Sequence, residues 1–166
     1  MLRIAKMYEQ QLQEKHLETI LNDKYKYYHA SNLQNYSLEL DNDTWNKIDF
    51  VSVDKEGNVL GYLMARFDRT ADLVSGLGVM NFGEINYHFS KDFHQFISDL
   101  LTVHNFRKIN FSVVVGNPAE KMYDKYIEKY GGRIVGAFKE DVRLYDGKYY
   151  DHKYYEIFRD NFLASS

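Results

Sequence analysis

The chain predicts an α/β fold built on a mixed sheet. Apolar runs of strand length alternate with amphipathic helices through its second half. Residues 113–135 read VVVGNPAEKMYDKYIEKYGGRIV: an apolar run, an Asn-Pro helix start, a Gly-Gly stop and a second apolar run. Asp146-Gly147 then separates two aromatic-rich segments, as a hairpin turn would.

The elements follow in order. Residues 8–21 are polar with Leu12, Leu17, Ile20 and Leu21 interspersed, which predicts a helix. Residues 25–46 mix aromatics with Ser, Asn and Asp and predict loops and short pieces. Residues 50–53, a DKEGN turn and residues 59–67 predict a β-hairpin. Residues 68–78 hold turn formers, and 78–89 predict a strand or two with Gly83 at a bulge.

Over 91–105, Phe93, Phe96, Ile97, Leu100, Leu101 and His104 recur at helical spacing, with Ser90 or Asp92 available as cap. Ile109, Phe111, Val113 and Val115 alternate with Asn110 and Ser112 and predict a strand. The next helix carries Ala119, Met122, Tyr123, Tyr126, Ile127 and Tyr130 on one face and charges on the other. Asn117 as N-cap, Pro118 and Glu120 start it, and Gly131-Gly132 end it. Residues 134–138 form a strand. Residues 142–145 and 148–151 flank a tight type I′ turn at Asp146-Gly147, and 154–162 are strand or closing helix. The strand–helix–strand–helix–strand centre requires parallel strands and right-handed crossovers.

Composition bounds the function. The 166 residues read as a single domain over 1–166, 45% hydrophobic and rich in Tyr and Phe, which favours β-structure with a groove. The absence of Cys excludes disulfides, CxxC redox chemistry and a Cys nucleophile, and suits a reducing cytoplasm. The first residues turn polar too soon for a leader peptide, and no apolar run approaches the ~20 residues of a membrane span. A net charge of -3 makes no global case for nucleic acid. The six His show no metal-binding spacing, and GxSxG and GxxxxGK[ST] are absent.

Charge is unevenly spread. Segment 31–60 holds Glu39, Asp41, Asp43, Asp49, Asp54 and Glu56, which suits a cation if the fold gathers them. Segment 101–139 holds Arg107, Lys108, Lys121, Lys125, Lys129, Arg133 and Lys139, which suits an anion. The plainer alternative is that both sets solvate exposed faces.

Hairpin, strand, helix, strand, helix in this order resembles the GNAT acyltransferases, the general-control-type N-acetyltransferases. Asn117, Ala119, Tyr123 and Gly131 resemble that family's series after its splayed strand. The resemblance covers roughly residues 50–150, about three fifths of the chain. It implies a largely antiparallel mixed sheet, flanked by helices, with a splayed central parallel pair at 82–89 and 108–116. It also implies acetyl-coenzyme A (acetyl-CoA) in the gap and an unidentified primary amine as acceptor. Direct attack in a ternary complex is expected, and a homodimer is left open.

The sequence departs from the family in two ways. No Q/R-x-x-G-x-G/A pyrophosphate loop is present where the resemblance expects it, at Phe89-Ser90-Lys91-Asp92. Ser90 and Lys91 at a helix start could still hold phosphate, while Asp92 would repel it. The spacing from Tyr123 to Gly131 is also longer than usual, by about one helical turn.

What the resemblance implies residue by residue stands beside a structural alternative. Asn117 would hold the pantetheine arm, or simply cap its helix. Tyr123 would protonate the leaving thiolate, or sit in the core beside Tyr126 and Tyr130. Glu84, or His88 on the same strand face, would take the amine proton, or lie exposed. Backbone N–H groups around Asn86 would polarise the thioester oxygen. The rival function is a GNAT-shaped protein without turnover, which binds acyl-CoA or another protein.

Overall fold

The computed structural model describes residues 1–22, 36–40, 44–83 and 86–165. Seven strands form one sheet: β1 (Leu2–Ile4), β2 (Lys47–Val53), β3 (Val59–Asp68), β4 (Leu73–Asn81), β5 (Lys108–Val114), β6 (Arg133–Arg143) and β7 (Tyr149–Phe158). Their spatial order is β1-β2-β3-β4-β5-β7-β6. The helices are α1 (Glu9–Ile20), α2 (Tyr87–Thr102), α3 (Glu120–Lys129) and α4 (Arg159–Ser165), with a 3-10 turn at Ala5–Tyr8.

All strand pairs are antiparallel except β4 and β5. The fold is therefore mixed α/β, largely antiparallel, with one parallel pair flanked by helices. One face of the sheet carries α2, α3 and α4 over Leu63, Ala65, Val74, Ile109, Phe111, Tyr155 and Ile157. On the other face Leu12 of α1 packs with Val51, Val53 and Tyr62. Alternation along each strand sorts these sets, because successive side chains point to opposite faces. Gly61 lets α2 close onto β3: a Cβ there would overlap the Phe89 ring and lie 2.6 Å from the Met80 carbonyl.

Several expectations are corrected. The strand placed at 82–89 lies earlier, at Leu73–Asn81, and Tyr87–Thr102 is already helix. Gly76 and Gly78 lie inside β4, where they look like turn formers in the sequence. The register shift falls in β3 and β4 near Arg66 and Phe67, not at Gly83. Asn86, rather than Ser90 or Asp92, caps α2, its side chain accepting from the His88 and Phe89 N–H groups. Only one parallel pair exists among the described residues, because β7 inserts between β5 and β6. The Asp146-Gly147 turn is not type I′: Gly147 has φ 80°, but Asp146 is not among the residues with positive φ. Residues 154–162, expected as strand or helix, divide into the end of β7 and then α4, and the separate strands expected from 134 and from 142 are joined in β6.

Candidate active site

The parallel pair barely pairs. Only Leu73 with Lys108 and Val74 with Ile109 are in register. Beyond them β4 runs on to Asn81 and β5 to Val114, each paired on its far side only. Because the strands are parallel, the opening faces their C-terminal ends, where α2 and α3 begin. That is where open α/β sheets place ligands.

The β5 side of the opening ends in a built turn. The Asn117 side-chain oxygen accepts from the Ala119 N–H at 2.9 Å, and the Glu120 carboxylate accepts from the Gly116 N–H at 2.9 Å. Asn117 therefore holds the turn ahead of α3 rather than its N-cap, which falls on Ala119 with no side-chain cap, and Glu120 reaches back to Gly116 rather than to Asn117. Gly131 (φ 65°) and the Gly132 N–H, donated to the Ile127 carbonyl at 2.9 Å, close the other end.

Tyr123 is buried on the first full turn of α3, its ring 5.3 Å from Phe111, 6.1 Å from Phe93 and 6.2 Å from Tyr155. Tyr126 and Tyr130 turn toward α2 and α4. The Tyr126 hydroxyl meets His94 Nδ1 at 2.9 Å, and the Tyr130 ring lies 4.9 Å from His94 and 5.3 Å from Phe162. Burial, then the neighbouring Tyr130, push the Tyr126 hydroxyl well above the ordinary phenol value, making it a poor acid. Of the three, Tyr123 stands nearest the Asn117 turn.

The β4 side departs from expectation. Glu84 lies outside the described residues, and the strand expected to carry it ends at Asn81. His88 is exposed on the first turn of α2, so it shares no strand face with Glu84. Asn86 is likewise not on a strand, which removes the strand N–H groups assigned there to the thioester oxygen. The Ser90 hydroxyl donates to the Asn86 carbonyl at 3.2 Å, and Lys91 is exposed. Asp92 sits one turn further on and accepts from Ser52 Oγ at 2.6 Å, so its carboxylate points to β2 rather than to the helix start. The segment between β4 and α2 contains Gly83, where an added Cβ would meet nothing within 4 Å.

Three polar features on the α1 face were not legible in the sequence. Asp49 is buried, accepts from the Tyr62 hydroxyl and pairs with Lys47 Nζ at 3.1 Å. Burial, then the Asp49 charge and hydrogen bond, raise the Tyr62 hydroxyl far above its usual value. Glu156 on β7 is buried and engaged on both oxygens, by Lys108 at 3.0 Å and Arg133 at 2.5 Å. Asn110, the first β5 residue past the parallel pairing, has a buried Oδ1 with no hydrogen-bond partner among the described residues. A polar residue alternating with Ile109 and Phe111 was visible, but its neighbours depend on the β5–β7–β6 register.

Among the described residues, no group of three or more His, Cys, Asp or Glu could hold a metal ion, and no helix is long and apolar enough to cross a membrane. No protein-family model matches the chain, and no curated protein matches it by sequence. Solved structures do match by fold. Spermidine/spermine N-acetyltransferase SpeG from Vibrio cholerae is 23% identical with a TM-score of 0.62, over 75% of this chain and 72% of that one. A T. thermophilus protein, provisionally called an acetyltransferase, is 16% identical with a TM-score of 0.58, over 72% of this chain and 62% of its own. A further structure given the same provisional assignment is 16% identical with a TM-score of 0.60, over 72% of this chain and 60% of its own. Against those last two, the match spans less than two thirds of the other chain. At such identities the likeness is one of fold, and the fold shared is that of acetyltransferases.

Proposed function

We propose that this protein is an N-acetyltransferase that moves an acetyl group from acetyl-CoA to a primary amine. The observation that carries this is the opening of β4 from β5 immediately after Val74 and Ile109. It leaves two strand edges for an extended acyl-pantetheine arm to lie between. The fold shared with acetyltransferases supports the same reading.

The donor's arm would lie along 75–81 and 110–114, with Asn117 beside it at the start of α3. The diphosphate would sit toward Ser90, Lys91 and the open backbone at Gly83, while Lys108 and Arg133 of the basic segment are engaged with Glu156 at the other sheet face. Asn86 already occupies the His88 and Phe89 N–H groups, so fewer helix donors remain for phosphate.

The transfer is direct. The amine nitrogen bonds to the acetyl carbon, the C–S bond breaks and the thiolate leaves. Tyr123 gives that thiolate its proton. The proton lost by the amine goes to Glu84, directly or through water, as the resemblance implies. The chain has no Cys, and Ser52, whose hydroxyl donates to Asp92, is fully buried on β2, two strands away from the opening, so no acyl-enzyme is invoked.

The test is thiol release from acetyl-CoA with a panel of amines, together with melting in the presence of the donor. Donor held about 100-fold above its dissociation constant should add about 2.7 kcal/mol of stability. A second reading, a protein of this fold without turnover that has kept acyl-CoA as a ligand or lost it, is favoured by Asn86 filling the start of α2, which leaves fewer donors for the diphosphate. Stabilisation without thiol release from any amine supports that reading and removes the transferase.

A further inference from the structure

On the sheet face opposite α2 and α3, a cavity of about 400 Å³ lies over β5, β7 and β6. That volume is in the range of small-molecule sites. Lys108 and Asn110 contribute from β5, Tyr154 and Glu156 from β7, and Val135 and Phe138 from β6. The strand register explains the grouping. Ile109 and Phe111 point into the core with α2 and α3, so Lys108 and Asn110 point the other way. Asn110 pairs across to Glu156, and Arg133 pairs to Glu156 from the far side. The cavity thus adjoins the point where β4 leaves β5, but on the face away from the proposed donor helices.

Its chemistry is uneven. The Phe138 and Tyr154 rings meet edge-on at 5.2 Å and form an aromatic wall. Phe138 is 63% exposed and Val135 55%, so this wall is uncovered in the chain alone. Glu156 is held by both Lys108 and Arg133, which leaves one positive charge in excess among the three. Asp141 lies beyond the Tyr154 hydroxyl, where it pairs with His152 at 3.2 Å. Asn110 lines the cavity, and its Oδ1, turned away from solvent, is an acceptor that nothing described satisfies. An unmet buried acceptor seeks an N–H donor. A polycation entering here would meet Lys108 and Arg133 with their carboxylate already neutralised, which disfavours it.

We propose that this cavity seats the acceptor, and that the acceptor is a small amino acid with an apolar or aromatic side chain. The proposal rests on the transferase reading. The amine donates to Asn110 Oδ1, on the side where the strands part, once the Asn110 side chain turns that oxygen into the cavity. The carboxylate lies toward Lys108, two residues nearer the closed end. The side chain lies along Phe138, Tyr154 and Val135. The amine nitrogen then bonds to the acetyl carbon as the C–S bond breaks, giving an N-acetyl amino acid and the free thiol.

The experiment uses the full chain with acetyl-CoA and three acceptor sets: phenylalanine, leucine and methionine; their amides, which lack the carboxylate; and spermidine. Melting with coenzyme A and each compound is followed in parallel. The proposal expects thiol release with the free amino acids, kcat/KM at least about tenfold lower for the amides, and lower again for spermidine. Phe138→Ala, at an exposed position, should raise KM for phenylalanine more than for methionine. Asn110→Leu should abolish the amino-acid-dependent rise in melting temperature while keeping the rise due to coenzyme A.

The outcomes separate the two readings. Spermidine or the amides as preferred substrates overturn the amino-acid proposal and leave the transferase standing. Carboxylate-dependent binding that Asn110→Leu abolishes, with no thiol release from any amine, keeps the cavity's ligand class and removes both transfer and its role as acceptor seat. No effect of any amino acid overturns the proposal, as does a stable dimer that covers Phe138 and leaves no access.

Discussion

Val74 of β4 and Ile109 of β5 face each other in parallel register, and they are the last residues of the two strands to do so. Both are fully buried beneath α2 and α3. The opening therefore begins from a packed, fixed hinge of two side chains rather than from a frayed end. Everything proposed about the donor follows from this pair.

Tyr123→Phe keeps the ring that packs on Phe111, Phe93 and Tyr155 and removes only the hydroxyl. Steady-state assays should show kcat reduced by about a hundredfold, within the range of general acid catalysis. Calorimetric titration should show donor affinity unchanged. Equal kcat at every pH assigns Tyr123 to the core alone.

Asn117 has two proposed duties that two substitutions separate. Asn117→Ala removes the acceptor for the Ala119 N–H and should cost about 1 kcal/mol in denaturant unfolding. Asn117→Asp keeps an accepting oxygen and should retain most of that stability. It loses the amide donor, however, and places a negative charge beside the donor's arm, so acetyl-CoA should bind more weakly. Full donor affinity in Asn117→Asp reduces Asn117 to holding the turn.

Much of the fold was legible, and its failures share a cause. The stripe from Ala119 to Tyr130 and the β2–β3 hairpin are local patterns and were visible, although β2 begins at Lys47, three residues before the apolar run that marked it. β4 was misplaced because Gly76 and Gly78 have no side chain to mark alternation. The start of α2 was missed because Tyr87 and His88 are exposed, and Phe89 alone gives no helical period. The insertion of β7 between β5 and β6 is a long-range pairing that no local window contains. In the site, Asn117 and Tyr123 lie on the legible helix. Asn110, Glu156 and Arg133 come together only through the β5–β7–β6 register.

Glu156 gives a pH prediction. Burial pushes its carboxyl up, but hydrogen bonds and charge from Lys108 and Arg133 outweigh this and hold it below the usual range. A folded pKa below the unfolded one means the stabilisation is present at neutral pH and lost as pH falls through the folded value. Denaturation followed from pH 7 downward should show Glu156→Gln less stable by about 2 kcal/mol at neutrality, the scale of charged hydrogen bonds. The difference should shrink below the unfolded carboxyl value of 4.5. A gap constant with pH contradicts the assignment.

Gly61→Ala should be costly although it lies in a strand, where alanine is normally tolerated. The new Cβ would overlap the Phe89 ring and approach the Met80 carbonyl, which is backbone and cannot rotate away. A loss of about 2 kcal/mol is expected, typical of overpacking, read as a lower melting temperature. Donor affinity should fall with it, because Phe89 fixes the start of α2 against the sheet. Unchanged melting shows that α2 does not approach β3 this closely.

The most direct test of the central claim is amide hydrogen exchange, read by mass spectrometry with and without saturating acetyl-CoA. Donor binding between the parted strands predicts new protection in peptides covering 75–83 and 110–117, with little change in β1 and β2. Unchanged exchange in both segments, or protection confined to 133–138, would contradict it.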